Sequence, residues 1–96
     1  MESDARRPAQ ADGVVARNVG GEMVLVPTRL DITQFHSVFL LSRVGAFLWQ
    51  HLDGTRDPDD LSRLLRERYA VPAAHDVAGD VRSFLTELSR RGLLQS

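Results

Sequence analysis

The stretch "LLSRVGAFLWQHLDG", residues 40–54, decides how the chain is organised. Ser42 is a suitable helix N-cap. Asp53-Gly54 favours a helix stop, because glycine adopts the left-handed conformation at little cost. Between these signals, apolar side chains recur at the spacing of one helical stripe, with Trp49 to one side of it. The stripe consists of Val44, Phe47, Leu48, His51 and Leu52. The stretch therefore predicts a first helix that Ser42 joins to a preceding strand.

Upstream of this helix, the sequence predicts three strands. Residues 14–19 and 22–26 are valine-rich runs on either side of Gly20-Gly21. This pattern favours a β-hairpin, because the turn requires positive φ angles. Pro27 ends the second strand, since proline has no N–H to donate to a ladder. Residues 35–41 alternate as a third strand that is apolar on both faces. One face has Phe35, Ser37, Phe39 and Leu41, and the other has His36, Val38 and Leu40.

Downstream, the pattern predicts two more helices. Asp57 and Pro58 suit the first positions of a second helix, whose apolar face is Leu61, Leu64, Leu65 and Tyr69. A third helix is predicted over residues 75–91, with a stop at Gly92. Its apolar stripe consists of Val77, Val81, Phe84, Leu85 and Leu88. Strands followed by helices indicate an α+β domain, a three-stranded antiparallel sheet with three helices after it.

Length and composition limit the possible functions. The chain has 96 residues, which predicts one domain. Residues 1–13 are polar and rich in Ala and Pro, so we expect a disordered tail there and a folded domain over 14–96. With no cysteine, the chain cannot form disulfides or cysteine-based zinc sites. No apolar run is long enough for a secretory signal or a membrane span, so we expect a cytoplasmic protein.

No set of residues predicts catalysis, a cofactor or a metal site. His36, His51 and His75 fall in three separate elements and lack the spacing of metal ligands. The sequence has no phosphate loop, no dinucleotide fingerprint and no Gly-x-Ser-x-Gly motif. We therefore do not expect an enzyme.

Two kinds of binding function stay open on the residues alone. The third strand lacks the Lys, Pro and bulge signals that usually protect a sheet edge. Either a neighbouring element covers it, or it accepts an incoming peptide strand. Three helices beside a small sheet also fit a winged helix-turn-helix regulator that binds DNA. Against this, the net charge is −1, and residues 42–91 hold eight acidic and eight basic side chains.

The run "SVFLLSRVGAFLWQHLDGTRDPDDLSRLLRERY", followed by "DVRSFLTELSRRGLL", resembles the PqqD-like proteins, also called RiPP recognition elements. Their pattern has a strand, an apolar helix ending in Asp-Gly and a second helix. It closes with Asp-Val-x-x-Phe-Leu-x-x-Leu and Gly-Leu-Leu. The resemblance covers residues 14–94. Ser42 stands where the family often has Asn, and both residues cap helices.

The resemblance implies a winged-helix-like domain that binds the leader segment of a ribosomally made precursor peptide. Such domains hand the peptide to a modifying enzyme, which is a radical SAM enzyme, a cyclase, a dehydratase or a protease. From the charge and the short apolar runs, we expect no partnership with nucleic acid or membrane. An open strand edge allows either a monomer or a weak, strand-swapped dimer.

In this family the leader adds as a strand to the third strand and lies against the third helix. Carried onto this sequence, the strand positions are His36, Ser37, Val38, Phe39 and Leu40. The helix positions are Val77, Asp80, Val81, Phe84, Leu85 and Leu88. Val81 and Leu88 lie at the centre of the helical stripe, where packing into the domain is the stronger alternative. Phe84 and Leu85 lie on its flanks and could face the peptide.

Overall fold

A computed structural model of the chain describes residues 7–27 and 39–95. It confirms the predicted α+β order of three antiparallel strands followed by three helices. The strands are β1 (Val14–Val19), β2 (Glu22–Pro27) and β3 (Phe39–Leu41), and the helices are α1 (Arg43–Gln50), α2 (Pro58–Arg68) and α3 (Val77–Arg90). The earlier part of the predicted third strand, with His36, Ser37 and Val38, lies outside the described residues.

The sheet has the order β1-β2-β3, and both pairings are antiparallel. Gly20 and Gly21 have φ angles of +59° and +86°, which the tight turn between β1 and β2 requires. Leu25 of β2 pairs with Phe39 of β3 and is completely buried. The face that carries Leu25 therefore packs on the helices, and β3 lies at an edge of the sheet.

Helix α1 begins as predicted, because the Ser42 hydroxyl accepts a hydrogen bond from the Gly45 N–H at 3.0 Å. Its buried face differs from the predicted stripe. Trp49 lies in the core with 3% of its surface exposed, whereas Val44 is 41% exposed. The cause is Gly45, which lacks a side chain and is itself buried against the Phe84 ring of α3. This contact turns α1 so that Trp49, rather than Val44, faces the core.

Helices α2 and α3 pack on each other and complete the core. Asp57 and Asp60 form a reciprocal capping box at the start of α2. The Asp57 N–H and then Arg63 donate hydrogen bonds to the Asp60 carboxylate, and these hold the pKa of Asp60 below its ordinary value. Helix α3 begins two residues later than predicted, because Asp76 is its N-cap. Among the described residues, no helix is long and apolar enough to cross a membrane.

Residues 8–11, within the range expected to be a disordered tail, form an N-terminal segment that is hydrogen-bonded to two other parts of the chain. Its backbone exchanges hydrogen bonds with residues 52–54 after α1 and with residues 93–95 after α3. Gln10 also donates a side-chain hydrogen bond to the Trp49 carbonyl at 2.7 Å. These bonds offset the low hydrophobicity that suggested disorder. Residues 1–6 lie outside the described residues.

Because the Gln10 side chain ties the N-terminal segment to the end of α1, we expect Gln10→Ala to destabilise the domain. Loss of this hydrogen bond should cost about 1 kcal/mol, which corresponds to a Tm lower by about 5 °C. Thermal unfolding followed by circular dichroism measures the change. Gln50→Ala, at an exposed position of α1, is the control and should leave Tm unchanged. Equal Tm values for both variants would contradict this role of Gln10.

Candidate functional site

The edge of β3 is the first component of the candidate site. In the residues that the structure describes, β3 pairs with β2 on one side, and no further strand lies on the other. Phe39 and Leu41 face the helices, whereas Leu40 points to the opposite side of the sheet and is 58% exposed. An unpaired edge presents backbone N–H and C=O groups in the order that another strand requires. Phe39 and Leu40, both predicted as strand positions of the site, therefore lie on this edge.

Helix α3 lies beside β3 and provides the second component. At its C-terminal end, the Arg91 guanidinium stacks over the Phe39 ring, 4.8 Å from the ring centroid. In its middle, Phe84 comes close to the junction of β3 and α1. A methyl group added at Gly45 would lie 3.2 Å from the Phe84 ring and 3.3 Å from a Leu41 methyl. Helix α3 thus passes β3 in the opposite direction, and the surface where the two elements meet is called here the β3/α3 groove.

The structure divides the predicted helix positions into two groups. Val77, Val81 and Leu88 are buried in the core, and the last two have no exposed surface. They anchor α3 in the domain, as the central place of Val81 and Leu88 in the stripe suggested. Phe84 and Leu85 are half-buried, and Asp80 is exposed. These three are the predicted helix positions that solvent reaches.

Several charged side chains around α3 form pairs with each other. Glu87 accepts a hydrogen bond from the Arg91 Nε at 2.8 Å and also lies 3.8 Å from Arg90. Asp80 is paired with the imidazole of His75 in the turn before α3. Pairing on this helix reduces the positive potential that a DNA-reading helix needs. Among the described residues, no group of three or more His, Cys, Asp or Glu could hold a metal ion.

A cavity of about 410 Å³ lies at the end of the β3/α3 groove. Its walls are the start of α1, the chain that follows α2 and the first half of α3. The sequence predicted Phe84 and Asp80 as site residues, but it did not predict the cavity wall formed by Tyr69, Ala70 and Val71. The short connection "AVPAAH" after α2 has no periodic pattern, so only the packing of α2 on α3 reveals that it reaches the site.

We expect the division of α3 into anchoring and accessible residues to appear in stability measurements. Leu88→Ala removes a fully buried side chain and should lower the free energy of unfolding by about 2–5 kcal/mol. Leu40→Ala changes an exposed side chain and should shift it by less than about 0.5 kcal/mol. Urea unfolding followed by the fluorescence of buried Trp49 measures both. A small loss for Leu88→Ala would show that α3 is not held through this residue.

Two solved structures are similar to this chain. One is TbiB1 in complex with the TbiA(beta) leader peptide, with 26% sequence identity and a TM-score of 0.71 over 92% of this chain and 95% of that chain. The other is lasso peptide synthetase B1 complexed with the leader peptide, with 20% identity and a TM-score of 0.73 over 94% and 99%. At that lower identity, the second likeness concerns the fold alone.

A family comparison identifies the chain more directly. No curated protein sequence matches it. The family described as "Coenzyme PQQ synthesis protein D (PqqD)" matches residues 22–94, which include β2, β3 and all three helices. The match covers most of the chain and confirms the resemblance that the sequence motifs indicated. The chain belongs to the PqqD family.

Proposed function

We propose that this protein binds the leader segment of a ribosomally synthesised precursor peptide and presents it to a modifying enzyme. The leader adds as a strand to the free edge of β3 and lies against α3. The observation that carries the proposal is the open β3 edge beside α3. TbiB1, a similar protein with 26% identity, was solved with a leader peptide bound.

Backbone pairing supplies the part of the affinity that does not depend on leader sequence. Each main-chain hydrogen bond to the edge contributes about 0.5–1.5 kcal/mol net. Phe39 and Leu40 are the described strand positions of the proposal, which also includes His36, Ser37 and Val38. Strand addition needs no deep pocket, so a domain of this size can provide such a site.

Side chains of α3 supply the selectivity in this proposal. Phe84 and Leu85 present half-buried apolar surface, against which alternate side chains of an added strand can pack. Val77, Val81 and Leu88 act indirectly, because they fix α3 to the core. The proposed interface is small, below about 1,200 Å² in total. Affinity should therefore depend on a few apolar anchors in the leader.

The chemical step belongs to the partner enzyme in this proposal. The accessible side chains of the β3/α3 groove are mainly apolar, which suits holding a peptide. The proposed partner is a radical SAM enzyme, a cyclase, a dehydratase or a protease, with the two proteins meeting in the cytoplasm. The family match and the leader-peptide complex do not favour the alternative of a DNA-binding regulator. The pairing of Arg90 and Arg91 with Glu87 agrees with this.

A backbone N-methyl scan of the leader tests strand addition directly. Each candidate leader encoded next to the gene of this chain is synthesised with a fluorescent label, and binding is measured by fluorescence anisotropy. In the leader that binds, one residue at a time is then N-methylated. Since only every second N–H of an added strand faces β3, affinity should fall about tenfold or more at alternate positions.

The side-chain matched control is the unmethylated peptide with Ala at the same positions. Replacement by Ala should lower the affinity at the apolar anchor positions of the leader and not at every second position. Methylation losses that repeat every three or four residues would indicate a bound helix and contradict strand addition. If no candidate leader binds, the proposed function itself is wrong.

A further inference from the structure

The face of the sheet that points away from the helices is the feature that strand addition to β3 leaves unused. Alternate residues of a strand point to opposite faces, so the register that buries Leu25 determines which residues lie on this outer sheet face. It consists of five aliphatic and two charged residues: Val15, Arg17, Val19, Glu22, Val24, Val26 and Leu40. Val19 is 60% exposed. An antiparallel sheet that meets water on one face normally carries polar residues there. The apolar composition therefore indicates a surface that a partner covers.

The outer sheet face is continuous with the edge at which the leader is proposed to add. Val24 of β2 pairs with Leu40 of β3, so the two side chains are neighbours on this face. A peptide added to β3 becomes a fourth strand, and every second side chain of it points to the same side as Leu40. A protein that covers Val24 and Leu40 therefore also contacts the bound leader.

The size of the outer sheet face favours a transient partner over a second copy of this chain. Strands β1 and β2 are six residues long. Strands rise about 3.3 Å per residue and lie about 4.8 Å apart, so the three of them cover about 20 by 14 Å. Two such faces packed together would bury on the order of 600 Å² in total, whereas stable interfaces bury about 1,200–2,000 Å². A partner that also contacts the bound leader gains further area from the leader.

Two charged side chains define the chemistry of that partner. Arg17 lies opposite Val24 on β1, and Glu22 lies at the start of β2, and both are exposed. Neither has an ion-pair partner among the residues that the structure describes. One charge of each sign does not suit a phosphate-rich membrane or nucleic acid. It suits a protein surface with an apolar centre, an acidic group opposite Arg17 and a basic group opposite Glu22.

We propose that the modifying enzyme docks on the outer sheet face and at the same time contacts the side chains of the bound leader that point to that face. The inference rests on the proposed function. It makes the leader part of the docking surface, so the enzyme binds the leader-loaded domain more tightly than the empty one. Thermodynamic linkage then requires that the enzyme strengthens leader binding by the same factor.

The test uses neighbouring residues on opposite faces of β1. Val15→Asp and Val19→Asp put a charge on the outer sheet face, whereas the controls Ala16→Asp and Asn18→Asp put it at exposed positions of the other face. Each candidate modifying enzyme encoded next to the gene of this chain is titrated into fluorescently labelled protein, with and without saturating leader. Val15→Asp and Val19→Asp should weaken enzyme binding about tenfold, and the controls should not. Unchanged leader affinity verifies that all four variants fold.

Replacement of leader residues by Ala tests whether the leader is part of the docking surface. The apolar anchors of the leader identify the side chains that point towards α3, and the residues between these anchors point to the outer sheet face. Ala at such an intervening position should leave leader binding to this protein unchanged. It should weaken enzyme binding to the leader-loaded protein several-fold.

Should Val15→Asp and Val19→Asp fail to fold, Arg17→Glu on the same face replaces them. It reverses the charge opposite the acidic group of the enzyme and should weaken enzyme binding about tenfold.

The possible failures of the two proposals are distinguishable. If the leader binds but the outer-face variants bind the enzyme like the unmodified protein, or no candidate enzyme binds the leader-loaded protein, the docking proposal is wrong and leader binding stands. If these variants instead dissociate a dimer in analytical ultracentrifugation and leave enzyme binding unchanged, the face holds a second copy of this chain, which also overturns the proposal. If no candidate leader binds the unmodified protein, both proposals fail.

Discussion

Among the described residues, β3 pairs with β2 on one side only, and this pairing determines both the buried face of the sheet and its accessible edge. Leu25 of β2 pairs with Phe39 of β3, and Leu25 is completely buried. Burial of Leu25 fixes which face of the sheet packs on the helices, because a shift by one residue would turn that face to solvent. The same register leaves the backbone of β3 available on its outer side and Leu40 exposed.

Helix α3 gains its position beside this edge through one close approach. Gly45 allows the Phe84 ring to reach the start of α1, next to Leu41. At the other end of α3, Arg91 stacks over Phe39. The core residues of α3 fix the helix to the body of the domain. Its flanking side chains and the edge of β3 therefore both border the β3/α3 groove. Backbone affinity and side-chain selectivity can then act on the same peptide.

Much of this arrangement could be predicted from the sequence, because local signals determine it. Gly20-Gly21, the Ser42 cap and the Asp57-Pro58 start each act within a few residues. The order of strands and helices followed from them. The apolar stripe of α3 also distinguished its central residues Val81 and Leu88, which are buried, from its flanking residues, which are half-buried. The flanking residues are Phe84 and Leu85.

The errors concern contacts between residues far apart in the chain. Trp49 was placed beside the stripe of α1, because periodicity alone could not reveal that Gly45 packs against Phe84. The composition of the N-terminal segment likewise does not indicate its hydrogen bonds to residues 52–54 and 93–95. For the same reason, the cavity wall after α2 had no signal in the sequence.

In the proposed complex, the outer edge of β3 forms a ladder with the leader peptide. Cross-strand Hα–Hα NOEs between isotope-labelled protein and unlabelled leader test this pairing. We expect such NOEs from alternate β3 residues, either from Leu40 or from both Phe39 and Leu41, with the β2–β3 NOEs unchanged. A complex in which the leader gives NOEs to the helices or to the outer face of the sheet, but none to β3, would contradict it.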